Sequence, residues 1–226
     1  MEMEFYRNLP LFKEMGAPEL RDVLAHLQVE KRHYLKGETI FHQGECIHQI
    51  GLVVEGIVKG VNYDLMGHAN VIARMERGDF FGESYALIGH VPMVVSIEVL
   101  KDCEIHFFDV QAILALNNEK LNRHLINILA TKNIYLTRKL NAITPKSIRD
   151  RLLSYLSDQQ AIHGSDVFDI PFNRQELADY LLVDRSSLSH ELSLMQQEGL
   201  IRFKKNHFAI LKQGESDWFL RLFILK

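Results

Sequence analysis

Nine of the thirteen glycines lie between Gly37 and Gly89, and none falls between Gly89 and Gly164. That distribution divides the chain. A glycine every few residues, set between short apolar alternations, reads as strands joined by tight turns. Ile50, Leu52 and Val54 alternate with other residues, as do Val71, Ala73 and Met75, and Val95, Ile97 and Val99; Cys103 to Phe108 is also rich in β-formers. The expectation is an antiparallel β-roll of roughly eight short strands over residues 1–109, with helices at its N-terminal end.

Residues 110–143, within the glycine-free stretch, carry a helical apolar period and are expected to form one long helix. Two stripes run along it. Leu121, Leu125, Ile128 and Tyr135 form one; Ile126, Leu129, Leu136, Leu140 and Ile143 form the other, with Asn133 filling the missing position of a 3–4 repeat. One stripe can cover the roll. The helix outruns a roll of this size, so the second stripe requires another partner, most simply the same helix of a second chain. The dimer seam is then Ile126, Leu129, Asn133, Leu136 and Leu140; the alternative is burial of both stripes inside one monomer. Pro145 disfavours helix at Thr144, which puts a hinge at residues 141–146 and a third region at 144–226. A helix over residues 147–161 and a short strand at 167–171 are expected to open that region.

The most informative segment is FNRQELADYLLVDRSSLSHELSLMQQEGLIRFKKNHFAIL, residues 172–211. Asn173 followed by Glu176 has the form of a capping box. Asp184 is a second N-cap, and Gly199 is a helix stop. Leu177, Ala178, Leu181, Leu188, Leu192 and Met195 fall where two short, steeply crossing helices touch, which is a helix-turn-helix. A hairpin around KKNH follows as a wing. In such motifs the N-terminal half of the second helix enters the major groove. Arg185, Ser186, Ser189 and His190 are the expected base readers, since an arginine fork suits guanine O6 and N7. Ser187, Lys204, Lys205 and Asn206 suit phosphates. The competing reading is a helical pair with an ordinary solvated face.

Composition narrows the function classes. Hydrophobic residues make up 47% of the chain and charged residues 24%, which excludes disordered and collagen-like chains. No apolar run approaches the ~18–20 residues of a membrane span. The acidic start, MEMEFYRN, lacks the order of a signal peptide, so a cytoplasmic protein without a membrane partner is expected. Cys46 and Cys103 form no CxxC pair, against a disulfide framework or a cysteine-ligated metal, and no metal is expected. Net charge is −3, so nucleic-acid binding must depend on where the bases sit and on a dimer doubling the contacts. A cupin-like metalloenzyme on the same roll shape needs an HxH core, which HQGECIH does not reproduce; no enzymatic activity is expected. The apolar stretch WFLRLFIL, residues 218–225, is expected to pack on the DNA-binding region or the hinge, or to bind a partner.

IFHQGE (Ile40–Glu45), VVEGIVKG (Val53–Gly60), GDFFGE (Gly78–Glu83) and NRQELADYLLVDRSSLSHEL (Asn173–Leu192) occur in order over nearly the whole chain. Together they resemble the Crp/Fnr superfamily of bacterial transcription regulators. The resemblance implies an α+β fold: an N-terminal antiparallel β-roll of the cyclic-nucleotide-binding, jelly-roll type, a long dimerisation helix and a C-terminal winged helix-turn-helix. It implies a homodimer on a palindromic double-stranded DNA site, responsive to a small-molecule effector through the roll, with RNA polymerase as a partner if the regulator activates.

The effector pocket implied by the resemblance comprises Gly82, Glu83, Ser84, Met93 and Val94. In cyclic-AMP-binding members a Gly-Glu pair opens a short helix and the glutamate holds the ribose hydroxyl; Gly82 and Glu83 keep that pair. An arginine about ten residues on neutralises the cyclic phosphate, and here Met93 stands in its place. Burying a phosphate without a cation is unfavourable, so the expected effector is not cyclic AMP, and its identity is open. The cysteine set of the iron–sulfur members is absent. Some members bind haem, an alternative reading for His42, His48, His68, His90 and His106 beside that of surface or hydrogen-bonded imidazoles. Arg174 and Gln175 match positions that contact the DNA backbone. Arg185 matches a base-reading arginine, while Ser186 replaces a glutamate and His190 an arginine. A cyclic-nucleotide-binding module without DNA function is a further alternative, against which the winged motif argues.

Overall fold

The computed structural model describes residues 2–64 and 66–211. The chain divides into two compact units, Met1–Thr131 and Lys132–Lys226, each with its own hydrophobic core.

The first unit opens with α1 (Glu2–Arg7), a 3-10 turn (Pro10–Phe12) and α2 (Ala17–Leu27). Six strands follow: β1 (Glu30–Tyr34), β2 (Thr39–Phe41), β3 (Gln49–Tyr63), β4 (Ala69–Glu76), β5 (Phe80–Phe81) and β6 (Ser96–Asp109), with α3 (Glu83–Ile88) inserted before the last. The sheet order is β1-β6-β3-β4, with β2 also on β6 and β5 also on β3. All the pairings are antiparallel, from Glu30↔Phe107 at one end to Tyr63↔Ala69 at the other. The antiparallel N-terminal sheet is the one the sequence pointed to, but its strands are fewer and longer than the expected eight.

The reason lies at Gly56. The register between β3 and β6 shifts before it, between Val53 and Glu55, across it, between Glu55 and Ile57, and after it, between Ile57 and Val58. Gly56 has φ +89, and a Cβ there would meet the Asp102 carbonyl oxygen at 2.3 Å. The glycine marks a bulge in a strand that continues for 15 residues, not a turn between two short strands. Gly56→Ala is therefore expected to destabilise the first unit by about 3 kcal/mol, from left-handed strain and a backbone collision together. Urea unfolding followed by circular dichroism checks this, and a loss below ~1 kcal/mol contradicts it.

A second departure concerns β4. Its alternating residues do not divide into inner and outer faces: Val71 is 56% and Ile72 50% exposed. The strand lies at the end of the sheet order, with β3 as its only sheet partner among the described residues. The roll core gathers elsewhere, on Leu52, Ile105, Phe107 and Phe108, which Tyr6 and Phe12 cover from the N-terminal helices.

The expected single helix at 110–143 is two helices, α4 (Val110–Ala115) and α5 (Glu119–Ile143). Asn117 takes a left-handed conformation at φ 46, and the Asn118 side chain accepts the Leu121 N–H at 3.0 Å. One asparagine ends a helix and the next caps another. Local chemistry overrode the apolar period across this join. At 25 residues, α5 is about 37 Å long. Leu121 and Leu125 are buried in the roll core and Ile128 packs against it, so these three cover the roll, while Tyr135, the fourth member of the stripe, is half exposed and meets the Tyr180 ring of the second unit.

The boundary between the compact units falls inside α5, after Thr131, whereas the sequence reading drew its divisions at 109/110 and 143/144. In the second unit, α6 (Ile148–His163) is capped by Ser147, and β7 (Val167–Asp169) leads to α7 (Arg174–Leu181), α8 (Arg185–Gln197), β8 (Ile201–Lys204) and β9 (His207–Ile210). The small sheet runs β7-β9-β8. Leu152, Leu177, Leu181, Leu188, Leu192, Met195 and Phe208 are fully buried between the helices and this sheet. The apolar stretch at 218–225 lies outside the described residues.

Candidate nucleic-acid interface

The helix-turn-helix is fixed by its caps. The Asn173 side chain accepts the N–H groups of Gln175 and Glu176, while Glu176 accepts the Asn173 N–H at 2.7 Å, completing the capping box. Leu182 takes a left-handed conformation to end α7. Asp184 then caps α8, its Oδ1 accepting the N–H groups of Ser186 at 2.8 Å and Ser187 at 3.0 Å. The Ser186 hydroxyl first, and then these backbone bonds, hold the Asp184 carboxyl below the usual carboxylate range. Gly199, at φ 73, follows the far end of α8.

On this frame Arg185, Ser186, Ser187 and His190 are exposed, and Ser189 is half-buried. Their hydroxyls are already occupied. The Ser186 hydroxyl donates to Asp184, and the Ser189 hydroxyl donates to the Arg185 carbonyl at 2.9 Å. Arg185 and His190 keep long polar side chains free of such local bonds among the described residues. Gln175 is exposed and donates to Asp179 at 2.8 Å.

Arg174 is the least satisfied group of the motif. Its Nη1 is buried without a hydrogen-bond partner, and its guanidinium lies 5.0 Å from the Phe203 ring centroid. Burial first, then repulsion from Arg185, lowers its pKa. Two cations share this edge, and no carboxylate pairs with either among the described residues.

On the wing, Lys204, Lys205 and Asn206 are exposed, with Lys205 left-handed at φ 57. Asn206 is less available than its sequence suggests: its side-chain amide donates to the Ile170 carbonyl at 3.2 Å, tying the wing to the residue after β7. Arg202, exposed on β8, was missed; the alternation Ile201-Arg202-Phe203 would have found it.

Two further arginines escaped sequence reasoning because their partners are distant in the chain. Arg149 on α6 bridges Glu191 at 2.6 Å and Glu198 at 2.9 Å, one within α8 and one just past its end. Arg151 donates to the carbonyls of Leu181 and Leu182 at 3.0 and 3.1 Å, closing the end of α7. Arg149 thus ties α6 to α8, and Arg151 ties it to the end of α7.

The expected seam on α5 is mostly open. Ile126 is 65%, Leu136 56% and Leu140 60% exposed; Asn133 is exposed and Leu129 half-buried. In the roll, Gly82 at φ 80 opens α3 and Glu83 is buried, while Ser84 is exposed. Met93 is buried in the roll core rather than presented on the surface, and its backbone is bonded to Gly44 and Glu45. Val94 is exposed. Tyr85, which the sequence did not single out, links the two parts, its hydroxyl accepting the Val94 N–H at 3.5 Å.

His106 is the buried histidine of the roll strands. Its Nδ1 lies 2.5 Å from the Tyr6 hydroxyl and its Nε2 2.7 Å from Glu104. His42, His48, His68 and His90 are exposed. Among the described residues no three His, Cys, Asp or Glu side chains cluster as a metal site would require. Cys46 is exposed; Cys103 is buried, which pushes its thiol up to about 11. No helix among the described residues is long and apolar enough to cross a membrane.

Two family models match the chain: a cyclic nucleotide-binding domain over residues 31–120 and a Crp-like helix-turn-helix domain over residues 150–214. The chain is 26% identical over 215 residues to the probable transcriptional regulator flp of Lacticaseibacillus casei, covering 93% of this chain and 95% of that protein. It is 29% identical over 108 residues to potassium channel KOR1 of Oryza sativa subsp. japonica; this match takes in 48% of the chain but only 12% of the channel's length. The solved structure of CprK complexed with OCPA superposes with a TM-score of 0.64 at 16% identity, covering 87% of this chain and 92% of that one, which supports the fold alone.

Proposed function

Because the chain joins a cyclic nucleotide-binding domain to a Crp-like helix-turn-helix domain, and so belongs with the Crp/Fnr regulators, we propose that it is a homodimeric, sequence-specific DNA-binding regulator. In this reading α8 enters the major groove. Arg185 and His190 read bases there, assisted by Ser189. Ser186 contributes less, since its hydroxyl is held by Asp184. Arg174, Gln175, Ser187, Lys204 and Lys205 hold phosphates, and Asn206 fixes the wing. Two copies pair through Ile126, Leu129, Asn133, Leu136 and Leu140 of α5 and read a palindrome with half-sites about one turn, ~10 bp, apart. If the regulator activates, RNA polymerase is its partner.

The observation that carries this reading is the Asp184-capped start of α8, where Arg185 and His190 are exposed and free of local hydrogen bonds among the described residues and the Arg174 guanidinium is near enough to be repelled by Arg185. Two uncompensated guanidiniums at the mouth of a capped reading helix form a site prepared for an anion. Arg185→Ala is expected to cost roughly 1–3 kcal/mol per half-site and to relax preference at one base pair. Lys204→Ala and Lys205→Ala are expected to weaken specific and random DNA alike and to reduce the salt slope by about one each. Binding titrations across salt check both. Equal weakening on specific and random DNA by Arg185→Ala removes the base-reading role.

The roll is proposed to be the effector-responsive part, acting through Gly82, Glu83, Ser84 and Val94. Met93 supplies no cation, and its burial in the core supports an effector other than cyclic AMP.

A further inference from the structure

Arg151, half-buried on α6, spends its guanidinium on main-chain carbonyls from two separate elements. Its Nε donates to Pro145 at 2.8 Å, in the connection between α5 and α6. Its Nη1 donates to Leu181 at 3.0 Å and to Leu182 at 3.1 Å, where α7 ends and the turn of the helix-turn-helix begins. No carboxylate pairs with it among the described residues. The carbonyls at a helix C-terminus favour a cation instead. A planar fork bound through two of its nitrogens fixes both distance and angle between the groups it joins, which a flexible ammonium does not.

Both ends of this tie are themselves anchored. The Thr144 N–H and hydroxyl return to the Leu140 carbonyl at 2.9 and 2.6 Å, so the end of α5 sets the position of Pro145. At the other end Val183 follows Leu182, and Asp184 then caps α8, so a displaced turn displaces the start of the reading helix. Other polar ties between α5 and α6 are weaker. Arg138 lies 3.5 Å from Asp158 with both side chains largely in solvent, and an exposed ion pair of this kind contributes little. The Ser154 hydroxyl reaches the Asn141 carbonyl only at 3.3 Å, on the surface. Ala142 and the Tyr135 ring add apolar contact, which attracts without fixing a direction.

We propose that Arg151 is a positioning residue that fixes the helix-turn-helix against α5, and so sets the spacing of half-sites the dimer accepts. The spacing role rests on the dimeric DNA-binding reading; the tie between connection and turn does not. Leu136 and Leu140 of the proposed seam lie in the same compact unit as the helix-turn-helix. In two copies paired along α5, each α8 is placed against the two-fold axis through Pro145, Arg151 and the end of α7. Released at Arg151, each helix-turn-helix still reads its half-site but turns more freely relative to its partner.

Hydrogen exchange of the full-length protein, read by mass spectrometry, tests the tie without DNA. Arg151→Gln is expected to speed exchange about tenfold in the segments holding Thr144 and Leu182, with the roll strands unchanged. Wild-type rates in either segment overturn the tie. Arg151→Lys keeps the charge at the end of α7 without the fork, and serves as the second variant should Arg151→Gln fail to fold. The inverted repeat recovered by selection from a random pool is then compared with the same half-sites moved apart by ~2 bp, and with one half-site alone. Wild type should prefer the ~10 bp spacing by about tenfold. Both variants should narrow that preference several-fold while leaving half-site affinity nearly unchanged. Lost half-site affinity with the spacing preference intact would make Arg151 a plain cap of α7 and overturn its positioning role. So would a wild-type preference in Arg151→Lys, since charge alone would then suffice. A wild type indifferent to spacing, or without specific DNA binding, fails the dimeric reading and the spacing role with it, while the exchange rates still decide the tie.

Discussion

Replacing Leu136 and Leu140 together by lysine is expected to leave the protein monomeric and to weaken binding to a full palindromic site by about a hundredfold or more. Both side chains are more than half exposed on α5, so the substitution disturbs little within one chain. In a dimer they would face each other, and lysines there bring like charges into an apolar seam. A dimer on two half-sites gains through effective concentration, commonly a factor of ~100 to 10,000 over one module. Sedimentation velocity and DNA titration on the same preparation test this together. A wild-type monomer at micromolar concentration, or a double variant that remains dimeric, contradicts the assigned seam.

Met93→Arg is expected to destabilise the first unit by about 3–5 kcal/mol, the range for a buried charge left without its partner. The methionine side chain belongs to the roll core, and its backbone, in the connection between α3 and β6, is bonded to Gly44 and Glu45, so a guanidinium there cannot reach solvent without moving that connection. Calorimetric melting measures the loss. The wild-type protein, with no cation at this position, should show no shift of melting temperature with cyclic AMP. A wild-type shift with micromolar ligand, or a Met93→Arg protein as stable as wild type, would show that this segment opens onto a ligand rather than packing in the core.

What the sequence made legible was local. Asn173 with Glu176, Asp184 and Gly199 act within a few residues of themselves, so their caps could be read directly and they delimit both helices of the motif. Gly56 misled because its partner, the Asp102 carbonyl, is remote in the chain, and a bulge looks like a turn until the facing strand is known. Asn117 and Asn118 had readable chemistry, but the apolar period running past them dominated the expectation of one helix. Arg149 and Arg151 carried no signal at all, since a salt bridge to α8 and a cap on α7 exist only once the chain has folded. Among the interface residues, Arg174 was placed by resemblance to a family; only the structure revealed its buried, unpartnered nitrogen. Ser186 and Asn206 were assigned to DNA on residue type, yet their polar groups are engaged within the protein.

The claim that this chain reads DNA sequence through α8 is tested most directly by selecting bound duplexes from a random pool, with and without cell extract. Wild-type protein and Arg185→Ala are run side by side. The expected result is an inverted repeat with half-sites ~10 bp apart, enriched by the wild type, with one base pair per half-site losing its preference in the variant. A wild-type pool no different from its input under either condition, or the same motif at the same strength from both proteins, contradicts it.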